Sequence, residues 1–211
     1  MDITWYGLSC FRLAERGRIV AITDPFSDSI GLPSPKIKGD VVTISHDEPG
    51  HNFVEAIKGQ PYVLRGAGEY EIGGVFVTGV ALHDSESQRR NVGYLFDYDN
   101  LTVLHLGDLA RVPDQSVVEA LGQVNVLLVP VGGGKGLKAT EAAEVVALIE
   151  PYFVVPMHYA QPGLTLDLDP LDKFLKAMGV SKVAESDTLR VTAADTPEQP
   201  QVVILTPQVQ S

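Results

Sequence analysis

The sequence predicts an α/β protein in which helices pack outside a β core. Three features carry that expectation. Short apolar or alternating runs, broken by glycine and polar turns, crowd the first half. The second half alternates strand-like with helix-like segments. Four separate apolar runs each end in a histidine or an aspartate, as expected where strand ends build a site.

Taken in order, residues 3–6, 10–13 and 18–23 read as strands, divided by Gly7 and the Glu15-Arg16-Gly17 turn. Residues 24–38 hold Pro25, Pro33 and Pro35 and form a long loop, a length usually tied to function or motion. A buried strand follows over 41–45, then a short helix over 52–58 closed by Gly59. Residues 62–64, 69–72 and 75–82 are further strands, turning at Gly73-Gly74. After the polar segment 83–90, strands resume at 92–98 and 101–106 around Asp99-Asn100. A helix over 113–121 has Pro113 in its first turn or Ser116 and Glu119 as a capping box. Residues 126–129 and 153–156 are buried strands, flanking a helix over 139–149 whose Ala142, Val145, Val146 and Ile149 share one face. Asp169 then caps a helix with Pro170 at its first position and Gly179 as its stop. Short strands at 183–184, 189–191 and 202–205 close the pattern. The length of 211 residues suits one domain spanning 1–211.

Composition narrows the function. No apolar run approaches the roughly 20 residues that span a bilayer, and the start of the chain lacks the pattern of a signal peptide. A lone cysteine, Cys10, excludes an internal disulfide and points to the cytoplasm. The net charge of −11 disfavours nucleic acid and anionic membranes, whose phosphates need clustered Lys and Arg.

The chemistry lies in five histidines: 46, 51, 83, 105 and 158. Residues 41–51 read Val-Val-Thr-Ile-Ser-His-Asp-Glu-Pro-Gly-His, a strand running into two imidazoles and two carboxylates. His83 follows 75–82, Asp108 follows 101–106 and His158 follows 153–156. If those ends converge, imidazole nitrogen and carboxylate oxygen meet in one site, a donor set suiting zinc, manganese or iron. His105 reads as structural. Asp24 reads as a support for the site or as a turn before Pro25. Arg89, Arg90 and Lys135 are the cations nearest an anionic substrate, with a solvated surface as the simpler expectation, and Gly132-Gly133-Gly134 as a flexible loop.

The whole chain resembles the metallo-β-lactamase superfamily, in particular its small bacterial hydrolases of the ascorbate-6-phosphate lactonase type. The resemblance rests on Trp5-Tyr6-Gly7, Thr23-Asp24-Pro25, Ile44-Ser45-His46, Gly79-Val80-Ala81-Leu82-His83, Asn91-Val92-Gly93-Tyr94, Leu106-Gly107-Asp108, Val129-Pro130-Val131-Gly132-Gly133 and Val155-Pro156-Met157-His158-Tyr159, in order. It implies a four-layer αββα sandwich. It also implies a metal-dependent hydrolase, holding zinc with manganese or iron as substitutes, with a small-molecule substrate and the possibility of a homo-oligomer.

The superfamily's His-x-His-x-Asp-His loop maps onto residues 46–51. His46 and His51 match, Glu48 replaces a histidine, and Gly50 replaces the aspartate. His83 matches the third histidine of the first metal site, Asp108 the carboxylate that bridges two metals, and His158 the last ligand of the second site. Glu48 can still offer oxygen, so a first site of His46, Glu48, His83 and Asp108 is conceivable. A second site retains His51, Asp108 and His158, enough for a catalytic zinc with water. One metal is therefore expected rather than two, with Asp108 orienting metal and nucleophile. Leu8 stands where many relatives carry a histidine. The competing reading is a non-catalytic binding or scaffolding module with an eroded site.

Overall fold

In a computed structural model of the chain, residues 1–82, 89–181, 183 and 185–208 are described. The first half forms β1 (Asp2–Gly7), β2 (Cys10–Ala14), β3 (Val20–Thr23), β4 (Val41–Thr43) and β5 (Tyr62–Leu64), then β6 (Gly68–Ile72), β7 (Val75–Ala81), β8 (Val92–Asp97) and β9 (Thr102–His105). Helix α1 (Gln115–Leu121), β10 (Val126–Pro130), α2 (Ala139–Ile149), β11 (Phe153–Met157) and α3 (Leu171–Ala177) follow. Four two-residue strands end the chain: β12 (Glu185–Ser186), β13 (Leu189–Arg190), β14 (Gln201–Val202) and β15 (Ile204–Leu205). Two large sheets result. One has six strands in the order β13-β1-β2-β3-β4-β5, and the other seven in the order β14-β11-β10-β9-β8-β7-β6.

Alternation along the strands sorts side chains between two apolar layers. Trp5, Phe11, Leu13, Ala21 and Val41 of the first sheet pack with Val77, Tyr94, Phe96 and Val103 of the second, forming the core between sheets. Their neighbours Cys10, Ile22 and Val42 point the other way, onto Phe26, Ile30, Leu32 and Ile37 of the long loop. Each such fully buried side chain is worth about 1.5–3 kcal/mol relative to exposure. Beyond the second sheet, α2 turns Ala142, Val145, Val146 and Ile149 inward, the face read from its sequence. This is the αββα sandwich.

Its outer layer over the first sheet is thin. The helix expected over 52–58 is a single 3-10 turn, Val54–Ala56, with Ala56 and Ile57 buried in the apolar layer there and Phe53 and Val54 packed against it. A second 3-10 turn, Asp28–Ile30, lies in the long loop. The third helix also starts later than its sequence suggests. Pro170 sits extended at ψ 154° as the N-cap, and Asp169 instead pairs its carboxylate with Lys173 at 2.6 Å. In α1 the expected capping box does not form; Asp114 is the N-cap, and its backbone carbonyl accepts from Val117 and Val118. The expected strand at 183–184 includes Ala184, which lies outside the described residues, and pairing is found at Glu185–Ser186.

Candidate metal centre

Strand direction decides where the histidines go. β3 runs parallel to β4, and β9, β10 and β11 are mutually parallel, so each set ends at one edge. Asp24 follows β3, His46 and His51 follow β4, Asp108 follows β9 and His158 follows β11. All five side chains are buried and meet where the sheets' carboxyl ends come together. His83, another expected ligand, lies outside the described residues.

Local structure explains the pairing of His46 with His51. The Glu48 carbonyl accepts from the His51 N–H at 2.8 Å, closing a turn centred on Pro49-Gly50. The turn folds the chain back so that the two imidazole rings lie 4.1 Å apart. His51 also stacks on His158, at 5.2 Å between ring centres.

Beneath them Asp24 fixes the imidazoles. Its Oδ1 accepts from the Ser45 N–H at 2.8 Å, while Oδ2 accepts from Ser45 Oγ at 2.5 Å and from His51 Nδ1 at 2.8 Å. The hydroxyl proton of Ser45 is used on that carboxylate, so its oxygen accepts from His46 Nδ1 at 2.9 Å. Both rings are thereby assigned the tautomer that leaves Nε2 as a lone pair. A carboxylate behind the histidine is the usual way to orient a metal ligand. Burial alone would raise the Asp24 carboxyl, but the His51 hydrogen bond and the neighbouring imidazoles hold it down to about 2. Burial, helped by His51, pushes His46 down to about 4, so its ring is neutral near pH 7.

Across from His51 lies a different situation. His158 Nδ1 and Asp108 Oδ1 are 3.6 Å apart, too far for a hydrogen bond, and both are buried without a partner. His158 also holds a left-handed backbone at φ 54°, fixed by its N–H donating to the Leu8 carbonyl at 3.0 Å. Gly132 allows this crossing, since a Cβ there would lie 2.2 Å from the His158 carbonyl oxygen. Strain and unsatisfied polar atoms at one spot mark a functional position. Burial holds His158 down to about 4, against the opposing pull of Asp108. Burial would raise Asp108, but His158, His51 and Arg89 hold it below its ordinary range.

Among the described residues, two groups have ligand atoms close enough to share an ion: Asp24, His46 and His51, and His51, Asp108 and His158. In the first, Asp24 already accepts from Ser45 and His51. The second has two unsatisfied atoms and the outward Nε2 of His51, and therefore fits a divalent cation.

Glu48 is turned elsewhere. Its Oε1 meets Lys135 Nζ at 3.1 Å and Arg89 Nε at 3.9 Å, and it belongs to neither group. Arg89 corrects the expectation of a solvated surface cation. Its side chain is only 12% exposed, with Nη2 on Asp108 Oδ2 at 2.5 Å and Nη1 on the Asp108 carbonyl at 3.1 Å. Asn91 is singled out by the sequence only within the Asn91-Val92-Gly93-Tyr94 motif, yet it fixes the Asp108 loop. Its Nδ2 donates to the Leu106 carbonyl at 2.8 Å, and its Oδ1 accepts from the Asp108 N–H at 3.1 Å. Its place at the entry to β8, beside the Leu106-Gly107-Asp108 loop, is a signal only topology could supply. His105 is structural as expected, bonding the Ser9 carbonyl through Nε2 at 2.9 Å and accepting from Gly107 through Nδ1 at 3.2 Å.

A cavity of about 520 Å³ opens over His51, Asp108 and His158. Ile30, Leu166 and Leu168 wall it on one side, with Glu48 and Lys135 at its rim. No helix among the described residues is long and apolar enough to cross a membrane.

This edge of converging strand ends, with its cluster of imidazoles and carboxylates, defines a metallo-β-lactamase type of site. The family model for the beta-lactamase superfamily domain matches residues 2–158, and the chain belongs to that superfamily. A UPF0173 protein of Pyrococcus furiosus is 30% identical over 202 residues, covering 84% of this chain and 90% of the relative. A UPF0173 metal-dependent hydrolase of Pyrococcus abyssi is 30% identical over 74% of this chain and 73% of its own length. A crystal structure from Thermotoga maritima, of a protein proposed to be a zinc-dependent hydrolase of the metallo-β-lactamase superfamily, is 34% identical. It superimposes with a TM-score of 0.81 over 97% of both chains.

Proposed function

We propose that this protein is a hydrolase of a small-molecule ester, lactone, amide or phosphoester that works with one zinc ion held by His51, Asp108 and His158. The observation that carries the reading is the buried, unsatisfied pair of Asp108 Oδ1 and His158 Nδ1 beside the outward Nε2 of His51. The relatives described as metal-dependent hydrolases support it, as does a donor set of imidazoles and one carboxylate, which suits zinc over calcium or magnesium.

When bound in such a shell, the metal supplies Lewis acidity and makes a water acidic enough to act as a nucleophile near neutral pH. The protein's own groups do the rest. Asp24 holds the His51 proton on Nδ1 and keeps the ring from turning. Asn91 accepts from the Asp108 N–H, and Gly136 leaves room for the Asp108 carboxylate, since a Cβ there would lie 2.0 Å from Oδ1. Ile30, Leu166 and Leu168 give the cavity an apolar lining beside these groups. Lys135 at the rim is placed to meet an anionic group of the substrate.

Elemental analysis of protein dialysed against zinc, then against buffer, tests the reading. One equivalent is expected, and it should be lost in His158→Asn, whose side chain tolerates the left-handed backbone. The non-catalytic alternative draws on Gly50, whose missing carboxylate leaves three ligands. A folded, metal-free wild-type protein would sink the hydrolase reading in its favour.

A further inference from the structure

The described first-site ligand positions, His46, Glu48 and Asp108, converge on a side chain rather than on an empty space. Asp108 Oδ2, His46 Nε2 and Glu48 Oε1 all face the guanidinium of Arg89, at 2.5 Å and 3.3 Å from Nη2 and 3.9 Å from Nε. The His46 lone pair that the Ser45 hydrogen bond aims outward therefore meets an N–H of Arg89. The guanidinium is further held by the Asp108 and Lys135 carbonyls, at 3.1 Å and 3.2 Å from Nη1.

We infer that Arg89 occupies the place of a first metal and acts as a built-in cation that limits the site to one metal, a conclusion that rests on the one-zinc reading above. The physical case is charge and geometry together. A guanidinium stays protonated at any working pH, and its planar fork can hold a carboxylate and an imidazole lone pair at once. A divalent ion brought to the same three groups would have to displace it, leaving Arg89 to find new partners for a partly buried charge. The replacement also accounts for Glu48. A histidine there would place a neutral ring beside a fixed cation, whereas a carboxylate pairs with it. The site thus keeps a positive charge next to the metal position, where an oxygen gains negative charge during hydrolysis, without a second ion.

Purified full-length protein titrated with Co²⁺ tests this, read by calorimetric stoichiometry and by the visible absorption of bound cobalt. Wild type should saturate at one equivalent, removed by His158→Asn and retained in His46→Ala. Arg89→Met, which keeps the apolar stem without the charged head, should bind two, the second lost when His46→Ala is added. Arg90→Ala, a neighbouring exposed cation, should stay at one. One equivalent in both wild type and Arg89→Met overturns the inference and leaves the hydrolase reading standing. Two equivalents in wild type overturn it as well. No metal in wild type but one His46-dependent equivalent in Arg89→Met upholds the inference and removes the one-zinc reading. No metal in either protein removes both. If Arg89→Met and Arg89→Ala both fail to fold, wild type in large Co²⁺ excess decides. Saturation at one His158-dependent equivalent upholds the inference, and a second, His46-dependent equivalent overturns it.

Discussion

Asp108 turns its two oxygens toward two sides of the site, and the sides differ. Oδ2 is satisfied by Arg89, with His46 and Glu48 gathered on the same guanidinium. Oδ1 faces His158 Nδ1 across 3.6 Å, and neither atom has a partner. One carboxylate is thus divided between a guanidinium and an imidazole that it does not reach. On one side the chain's own guanidinium meets these groups, and on the other the unsatisfied pair is where the proposed metal would bind.

The largest expected effect comes from removing what both sides share. Asp108→Asn should abolish metal binding. It should also destabilise the fold by about 3–5 kcal/mol, the usual cost of breaking a buried ion pair by removing one member. Urea unfolding of metal-free protein measures the second effect without the first. A loss below about 1 kcal/mol would mean that the Asp108–Arg89 contact is a weak surface pair, and the comparison between the two sides would collapse.

Acid should separate the folded from the unfolded chain through the histidines. Burial holds His46 and His158 at about 4, and His105 below its ordinary value, while all three titrate near 6.5 once unfolded. Between about 4 and 6.5 the unfolded chain therefore binds more protons, so stability falls as pH falls through that window. Asp24 does not offset this, because its contribution is lost only as pH drops from 3.8 through about 2. The melting temperature of chelator-treated protein should be flat above pH 7 and decline steadily toward pH 4. A curve unchanged down to pH 4.5 would show that these rings are not buried as neutral groups.

Asp24→Asn sharpens the comparison from beneath. Asn has one acceptor oxygen where Asp24 serves Ser45 twice and His51 once, so both outward imidazoles lose their fixed tautomer. Loss of such a supporting carboxylate typically weakens metal binding by about 10–100-fold. Competition with a zinc chelator measures it. An unchanged affinity would show that stacking between His51 and His158 alone orients the ligands.

Much of this arrangement was legible in the sequence, because strand ends carry it. Short, nearly continuous apolar runs located β4, β9 and β11, and the residues after them are the ones that meet. The inward face of α2 followed from its spacing for the same reason. What stayed hidden depended on neighbours distant in sequence. Asp24 before Pro25 reads equally as a turn, and only the parallel pairing of β3 with β4 places it under His51. Arg89, in a polar stretch without periodicity, gives no sign of lying inside. Residues 52–58 have the composition of a helix, yet only Val54–Ala56 form a turn.

Gly50 and Leu8 were read from sequence as two separate losses, yet they touch. A Cβ at position 50 would lie 2.9 Å from Leu8 Cδ2, and next from Ile30 at 3.9 Å, so the leucine has filled the room an aspartate would need. Restoring the family carboxylate by Gly50→Asp alone should therefore cost about 1–3 kcal/mol, as overpacking does, and add nothing to metal affinity while Leu8 holds it off. Pairing it with Leu8→Ala should recover part of that cost, a favourable coupling of about 0.5–1 kcal/mol between residues in contact. The double variant should then bind zinc more tightly than Leu8→Ala, because a fourth ligand reaches the side of the site that lacks one. Four proteins, wild type, each single variant and the double, complete the cycle by thermal unfolding and zinc competition. Strict additivity would mean that the two positions changed independently, and that the open side of Asp108 was left with three ligands for some reason other than packing.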